Sequence, residues 1–308
     1  MSPLPATHRA LVLTTIGQPL KVKSRPTPQA TPGSVNKCGG INCITVIGSN
    51  TTSISINDLR DTTYTKYAKI PLENCYKLNK KQLLWLTIKQ GLDYTIHDLL
   101  PLIMQLVPFG GLHCIGVEAG DKVIISPATG PFGSAAVQVA LAMGASVIAM
   151  GRNMDALKKL QAIYGAERRQ LVQITNDQQQ EMDALAQYGP ADAFFDISPP
   201  MAAGSGHIMS GILSLKHSGR VCLMGPGIGD LTIPVAILMA QNLTIKGKWM
   251  YEREGIRKMI QMVEAGVLKM GSQAGWVIAG KYQLEQWAEA FASAAQHAGP
   301  GEQVLFTM

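Results

Sequence analysis

Short, unbroken apolar runs follow one another from residue 121 onward, and stretches with helical spacing separate them. Unbroken runs are typical of parallel strands that are buried on both faces. The runs that predict strands are Lys122–Ser126, Ser146–Met150, Leu171–Ile174, Ala191–Ile197, Gly219–Met224 and Leu243–Lys246. The stretches that predict helices are Ser134–Met143, Met154–Tyr164, Gln178–Gln187, His207–Leu215 and Glu254–Ala265. This alternation predicts an α/β fold with a doubly wound parallel sheet.

The pattern is weaker on both sides of this segment. The flanking elements that it predicts are strands at His8–Thr15, Ile44–Ile47, Tyr67–Pro71 and Gln303–Phe306, and helices at Lys81–Lys89, Ile96–Val107 and Tyr282–Ala298. Gly110 and Gly111 predict an interruption after the second of these helices. The stretch Lys37–Ser55 is rich in Gly, Asn, Ser and Thr and nearly lacks charge. It predicts no domain by itself.

A glycine-containing turn, Ala128-Thr129-Gly130-Pro131-Phe132-Gly133, connects the Lys122–Ser126 strand to the next helix. Its glycines occupy the second and third positions of the G-x-G-x-x-G pattern, and Ala128 replaces the first. Glycine lets the backbone approach a diphosphate, and the helix N-terminus offers unpaired N–H groups. Pro131 suits the first helical position, where no N–H is needed. In a strand–turn–helix–strand context this pattern predicts a Rossmann-type dinucleotide site. The alternative is a turn that binds nothing.

The next strand is followed by Gly151-Arg152-Asn153. Sites that prefer NAD usually have an Asp or Glu here, which binds the ribose 2′-hydroxyl. Arg152 stands in that place, and a guanidinium suits a 2′-phosphate through charge-assisted hydrogen bonds. The sequence therefore predicts NADP(H) as the cofactor, with Arg152 as the residue that recognises it. The alternative is a surface arginine.

The segment Asp121–Arg152 resembles the cofactor-binding segment of medium-chain dehydrogenases/reductases, especially fungal-type, alcohol-dehydrogenase-like members with an A-x-G-x-x-G turn. Tyr67–Cys75 is similar to the strand that leaves their GroES-like catalytic domain, and the C-terminal YQLEQWAEAFASAAQHAGPGEQVLF is similar to their last helix and strand. The resemblance covers about Tyr64 to Met308 and, more faintly, the first thirty-odd residues.

This resemblance implies a reduced, β-rich GroES-like domain at 1–88, completed by 273–308, and a Rossmann domain at 89–272. It also implies cofactor contacts near Asp196 and at Gly225-Pro226-Gly227, where strands end. Ordinary turns are the alternative interpretation of both places. Since the family often assembles through its cofactor domain, the resemblance further implies a homo-oligomer.

No metal site is predicted. The Cys-Ser/Thr-Asp and Gly-His-Glu patterns of the family's zinc-dependent members do not occur in this chain, whose Val35–Thr63 stretch replaces a much longer one. Cys38 and Cys43 alone do not provide the three protein ligands of a catalytic zinc. Hydride transfer without zinc needs a donor for the developing charge on the substrate. The candidate donors are Tyr64, Tyr94, His97 and His113, although such residues are more often structural, and no catalytic residue is assigned.

Composition narrows the function classes. With 46% hydrophobic residues and 31 glycines among 308 residues, the chain is predicted to be a well-buried globular protein. A net charge of +6 without a basic run suits an anionic small molecule and does not favour nucleic acid. The odd number of cysteines, five, predicts reduced thiols. We expect no membrane span and no signal peptide, and therefore a cytoplasmic protein.

Three hypotheses follow. The first is a zinc-independent NADP(H)-dependent oxidoreductase that acts on a small carbonyl, enone or alcohol, with fungal secondary metabolism as an analogy. The second is an NADPH-binding sensor or scaffold without activity. The third is a damaged or mis-spliced product whose N-terminal third does not fold, which rapid proteolysis of residues 1 to 60 would reveal.

Overall fold

The structure is a computed structural model, and it describes residues 4–12, 18–29, 34–38, 64–65, 67–84, 91–202, 205–225 and 230–307. The predicted strand Ile44–Ile47 and Cys43 lie outside the described residues, as do Pro226 and Gly227. The strands are β1 Thr7–Val12, β2 Lys21–Pro26, β3 Ser34–Cys38, β4 Tyr67–Pro71, β5 Lys122–Ser126, β6 Ser146–Gly151, β7 Arg169–Gln173, β8 Ala191–Asp196, β9 Leu215–Leu223, β10 Thr244–Gly247, β11 Val277–Tyr282 and β12 Glu302–Phe306. The α-helices are α1 Lys80–Leu83, α2 Leu102–Cys114, α3 Pro131–Ala142, α4 Met154–Tyr164, α5 Gln178–Ala186, α6 His207–Leu213, α7 Val235–Ala240, α8 Arg253–Glu264 and α9 Trp287–Gln296.

A parallel six-stranded sheet forms the centre of the molecule, and its strand order is β10-β9-β8-β5-β6-β7. The chain winds outward from β5 in one direction through β6 and β7, and then in the other through β8, β9 and β10. The order therefore reverses between β5 and β8, and such sheets bind ligands at this point. The predicted α/β fold with a doubly wound parallel sheet is confirmed.

Helices cover both faces of the sheet because its strands alternate between two apolar layers. Val123 and Ile125 of β5 pack into a core that includes residues of α2, α3 and α8. Ile124, between them, points to the opposite face and packs into a core with residues of α5 and α6. Both layers hold fully buried aromatic rings, Phe195 on the first face and Phe194 on the second. This double burial explains why the strands read as unbroken apolar runs.

The predicted interruption at Gly110 and Gly111 is wrong, since α2 continues through both residues to Cys114. A Cβ atom on Gly110 would lie 2.7 Å from the Cβ of Tyr251, and one on Gly111 would lie 2.6 Å from the ring of Phe195. These glycines allow a helix to pack closely, and they do not end it. The predicted start of this helix at Ile96 is also wrong, because a separate 3₁₀ turn at His97–Leu99 precedes α2.

Three other predicted boundaries differ from the structure. The predicted helix Tyr282–Ala298 begins only at Trp287, because Val277–Tyr282 pairs in parallel with β12. The described part of the predicted helix Lys81–Lys89 ends at Leu83 with α1, after which Leu84 is extended and bridges to Tyr94, and residues 85–89 lie outside the described residues. β9 begins at Leu215, where the sequence predicts the end of a helix. The charged strand β2 and the exposed helix α7 were not predicted at all.

The strands outside the central sheet form two-stranded pairs, β1 with β2, β3 with β4 and β11 with β12. The N-terminal residues contact the C-terminal elements directly. Arg9 forms an ion pair of 2.9 Å with Glu285, and the ring of Tyr64 packs edge-to-face against Phe291 and Phe306. The division into domains at 1–88 with 273–308 and 89–272 stays a prediction. Among the described helices, none has the length and apolarity that a membrane span requires.

Candidate functional site

A cavity of about 790 Å³ opens at the carboxyl ends of the sheet strands, at the point where their order reverses. Its walls come from the loops that follow β5, β6, β7, β8, β9 and β10, from the first residues of α3 and α6, and from one residue of α2. The lining residues are Val107, Pro127, Thr129, Gly130, Pro131, Phe132, Gly133, Arg152, Ile174, Asn176, Ile197, Ser198, Pro199, Ala202, Ser205, His207, Met224, Trp249 and Met250. This volume lies within the usual range for small-molecule and cofactor sites.

The predicted glycine turn forms one wall of this cavity. Residues 129–133 line it, whereas Ala128 is fully buried and donates its N–H to the Met150 carbonyl over 2.7 Å. Pro131 is the first residue of α3, Gly130 is its N-cap, and the first turn contains no acidic residue. The amides of this turn and the positive end of the helix dipole therefore face the cavity, as an anion requires.

The glycines of the turn have different physical roles. A Cβ on Gly130 would meet no atom within 4 Å, so the space above this residue is open to a ligand. A Cβ on Gly133 would collide with the Pro127 carbonyl oxygen and lie 2.9 Å from the Cα of Ala128. Gly151 lets the turn sit against β6, since a Cβ there would lie 2.8 Å from the Thr129 methyl group. Gly130 thus provides access, while Gly133 and Gly151 provide close packing.

Arg152 and Asn153 both follow β6, but their side chains have different roles. Arg152 is exposed and lines the cavity, and no carboxylate of the described residues pairs with its guanidinium. The Asn153 side chain caps α4, where it accepts N–H groups from Asp155 and Ala156 over 2.9 and 3.1 Å. The cavity wall includes Arg152 and not Asn153.

Asp196 and Gly225 lie behind the wall rather than on it. Asp196 is 3% exposed, and its carboxylate accepts the Ser198 hydroxyl over 2.5 Å. Gly225 packs against this pair, because a Cβ on it would lie 2.7 Å from Asp196 Oδ2 and 2.6 Å from the Ser198 carbonyl oxygen. Both residues support the loop after β8. At the start of this loop, the Ile197 N–H donates a hydrogen bond of 3.0 Å to the Ser126 carbonyl.

Four polar residues line another part of the cavity, and we call this group the polar wall: Asn176, Ser198, Ser205 and His207. His207 is 1% exposed, and hydrogen bonds join it to Ser198 and Ser205. Sequence analysis missed all four residues. Their positions after strand ends gave a usable signal for Asn176 and Ser198, but nothing local marks Ser205 or His207.

The part of the cavity near α2, β9 and β10 is apolar. Val107, Met224, Trp249 and Met250 line it, and Trp249 is 68% exposed. An apolar compartment beside a few fixed polar groups is typical of a site that holds a flat ring and an uncharged substrate. Cys222 lies buried beneath this region, and burial raises the pKa of its thiol to about 12, so it stays protonated at neutral pH.

The four candidate donors do not line the cavity. Tyr64 packs among aromatic rings, and His97 belongs to the 3₁₀ turn before α2. Tyr94 is buried, its hydroxyl accepts the Met270 N–H over 3.3 Å, and burial raises its pKa. His113 lies near Lys258, and burial together with that positive charge lowers its pKa. Each of these four residues therefore lies in the folded structure away from the cavity wall.

The described residues do not fit a metal centre. No three His, Cys, Asp or Glu side chains of the described chain come together in a way that would hold a metal ion. Cys75, Cys114 and Cys222, which form no disulfide, are among these residues. Cys43 lies outside the described residues, and the side chain of Cys38 is not described. The described part of the cavity therefore lacks the three ligands that a catalytic zinc requires.

Comparison with known proteins shows a similarity to dehydrogenases. Residues 131–265 match the family model described as zinc-binding dehydrogenase. The L-threonine 3-dehydrogenase of Pseudoalteromonas translucida is 24% identical over 245 residues, which cover 79% of this chain and 64% of that protein. The probable D-xylulose reductase A of Aspergillus clavatus is 26% identical over 237 residues, or 75% of this chain and 60% of that protein. The chain thus spans less than two thirds of the length of these relatives.

Solved structures extend the likeness to the whole fold. A structure described as a short chain alcohol dehydrogenase of E. coli CFT073 complexed with NADH covers 99% of this chain and 100% of its own, with a TM-score of 0.70 and 15% identity. The alcohol dehydrogenase of Pyrobaculum aerophilum covers 98% of this chain with a TM-score of 0.67 and 17% identity, and its own chain is covered completely. Residues 131–265 are therefore similar to the zinc-binding dehydrogenase family, and the chain shares the fold of solved alcohol dehydrogenases.

Proposed function

We propose that this protein is a zinc-independent, NADP(H)-dependent oxidoreductase, which transfers a hydride to or from a small carbonyl, enone or alcohol. One observation carries the proposal. The open glycine turn at the start of α3 and Arg152, whose guanidinium has no carboxylate partner among the described residues, face the same cavity at the reversal point of the sheet. Such an arrangement suits a diphosphate and a second, separate phosphate.

The residues of the cavity suggest how a dinucleotide would lie in it. The amides after Gly130 would receive the diphosphate, and Arg152 would receive the 2′-phosphate of the adenosine end. The apolar compartment around Met224, Trp249 and Met250 would hold the nicotinamide and exclude water from it. When bound, the nicotinamide supplies or accepts the hydride. The solved relative with NADH supports a dinucleotide here, and Arg152 is our reason to prefer NADP(H).

The proposal that the protein works without zinc rests on which metal-ligating side chains the chain provides. The sequence lacks both zinc-ligand patterns of the family, and the described residues supply no group of three ligands. We expect turnover to be unchanged after dialysis against a chelator and after addition of zinc. Loss of activity in the chelator and its recovery with zinc would overturn this part of the proposal. The further assignment to a fungal-type enzyme of secondary metabolism rests on the resemblance of the A-x-G-x-x-G turn alone.

A second candidate function is an NADPH-binding protein without redox activity. It is favoured by one observation, that none of the candidate donors Tyr64, Tyr94, His97 and His113 lines the cavity. Titration with NADPH and NADH, followed by a panel of aldehydes, ketones, enones, quinones and alcohols, separates the two functions. Oxidation of NADPH by any of the acceptors supports the enzyme. Tight binding without turnover supports the second function, and no binding of either dinucleotide contradicts both.

We also propose that the protein forms a homo-oligomer through the β10 edge of the sheet. The α7 helix beside this edge has no buried residue, and Val235 and Met239 are 75% and 74% exposed. An exposed apolar helix next to an open strand edge favours pairing with another copy. A Met239→Glu substitution is expected to weaken the assembly at least about tenfold, because it places a charge in an apolar contact.

Sedimentation velocity at several protein concentrations measures this effect. Ile103→Glu is the matched control, since Ile103 is an exposed apolar residue of α2, away from this edge. Equal dissociation of both variants, or a wild-type protein that stays monomeric, would contradict the proposed interface.

A further inference from the structure

A buried carboxylate supports the part of the cavity wall that follows β7. Glu181 of α5 is 1% exposed, and its two oxygens accept three hydrogen bonds. Oε1 accepts the backbone N–H groups of Thr175 and Asn176 over 2.9 and 3.0 Å, and Oε2 accepts the Ser210 hydroxyl over 2.7 Å. Since burial of a carboxylate is costly without such donors, these bonds hold the loop after β7 against α5.

Asn176 carries this support to the cavity. Its side chain is exposed and lines the cavity, whereas Glu181 does not line it. The backbone of Asn176 has a left-handed conformation with φ 63°, which a residue other than glycine adopts at a cost in free energy. The N–H bond to Glu181 stabilises this conformation, and the direction of the Asn176 side chain follows from it.

The strand order places Asn176 beside Arg152 and away from the glycine turn. The turn follows β5, Arg152 follows β6 and Asn176 follows β7, and β6 lies between the other two strands. Two hydrogen bonds join the ends of β6 and β7, from the Gln173 side chain to the Arg152 carbonyl over 3.2 Å and from the Ile174 N–H to the Gly151 carbonyl over 3.0 Å. A dinucleotide with its diphosphate on the turn would therefore meet Asn176 with its adenosine end.

We propose that Glu181 is a positioning residue, which fixes the left-handed turn at Asn176 so that the Asn176 amide forms a hydrogen bond with the adenosine end of the dinucleotide. This inference rests on the proposed function. An amide offers both a donor and an acceptor, which suits the edge of adenine and the ribose hydroxyls. Because NADH and NADPH share the adenosine, this contact acts on both alike, in contrast to the contact proposed for Arg152.

The first variant is Asn176→Gly, which removes the amide and keeps the backbone conformation, because glycine adopts a positive φ without strain. We expect the dissociation constants of NADH and NADPH to rise by the same factor of about ten, the effect of one lost hydrogen bond. Isothermal titration calorimetry measures both constants. Unchanged affinity for both dinucleotides would overturn the inference.

Glu181→Ala should weaken the binding of both dinucleotides to the same extent as Asn176→Gly. In the double variant, we expect no further loss beyond that of Asn176→Gly, because Glu181 acts through the Asn176 side chain. A glutamate with a merely structural role would weaken binding by the same factor in both backgrounds, and this additive result would overturn the inference. Glu181→Gln should bind nearly as the wild type does, since its amide oxygen can accept the same two N–H groups.

Ser210→Ala is the matched control. It removes the hydrogen bond to Oε2 of the same carboxylate and leaves the two backbone bonds to Oε1 intact. We expect a lower temperature of unfolding and unchanged dissociation constants. If Ser210→Ala weakens binding as much as Glu181→Ala, affinity follows stability and not the position of Asn176, which would overturn the inference.

Two further outcomes separate this inference from the proposed function. If Glu181→Ala does not fold, Glu181→Asp takes its place in the same comparison, because it withdraws the carboxylate from the loop by one methylene group. A folded wild-type protein that binds neither dinucleotide would overturn the proposed function together with the inference. Binding by the wild type with equal affinity in Asn176→Gly would overturn the inference alone.

Discussion

Alanine in place of Gly133 is expected to destabilise the protein by about 1 to 3 kcal/mol and to abolish binding of a dinucleotide, because the new methyl group has no room. It would collide with the Pro127 carbonyl oxygen and press on the backbone of Ala128. The contact can only be relieved if α3 moves away from β5, and that movement displaces the amides that face the cavity. Thermal unfolding together with a titration of NADPH measures both effects.

Gly130→Ala provides the contrast, since a Cβ there meets no atom within 4 Å. We expect this variant to unfold at nearly the wild-type temperature and still to lose about tenfold or more in affinity for NADPH, because the methyl group occupies the space of the diphosphate. Equal stability of both variants would show that the packing argument for Gly133 is wrong. Unchanged affinity of Gly130→Ala would remove the diphosphate from this turn.

Replacing Arg152 with alanine is expected to weaken the binding of NADPH about 10- to 100-fold and to leave that of NADH nearly unchanged. A hydrogen bond to a charged group contributes about 1.5 to 3 kcal/mol, and the 2′-phosphate is present only in NADPH. The guanidinium lines the cavity without a carboxylate partner among the described residues, so its removal should not disturb the fold.

The control for Arg152 is Lys158→Ala, which removes one positive charge from the exposed side of α4, outside the cavity wall. It should leave the ratio of the dissociation constant of NADH to that of NADPH unchanged. A fall in that ratio for both variants would indicate a general effect of positive charge. An unchanged ratio in Arg152→Ala would refute recognition of the 2′-phosphate by this residue.

The elements that sequence analysis predicted best are those whose signal is local. The strand Lys122–Ser126 and the helix Met154–Tyr164 agree with the structure residue for residue, because buried parallel strands are uniformly apolar and an N-capping asparagine precedes the helix. The turn after β5 was predicted for the same reason. A glycine turn directly before a helix predicts the same local structure whatever the distant residues are.

Predictions failed where a distant contact overrides the local preference. Gly110 and Gly111 have the composition of a helix break, yet Tyr251 and Phe195 pack so closely against them that only glycine fits. Tyr282 has neighbours typical of a helix, but β12 supplies backbone partners for an extended strand. Tyr94 and His113 are residues of catalytic type, and their place in the fold gives them structural contacts.

The sequence by itself determined the doubly wound sheet, the glycine turn at its centre and the arginine that follows the next strand, because each depends on residues close together in the chain. Only the tertiary structure decided that Arg152 and the turn share one cavity, and that Asn176, Ser198, Ser205 and His207 form its polar wall. Asn176 lies in the loop after β7, whereas the other three lie between the end of β8 and the first residue of α6. Their hydrogen bonds exist because the parallel sheet brings the carboxyl ends of its strands to one edge, which no local pattern encodes.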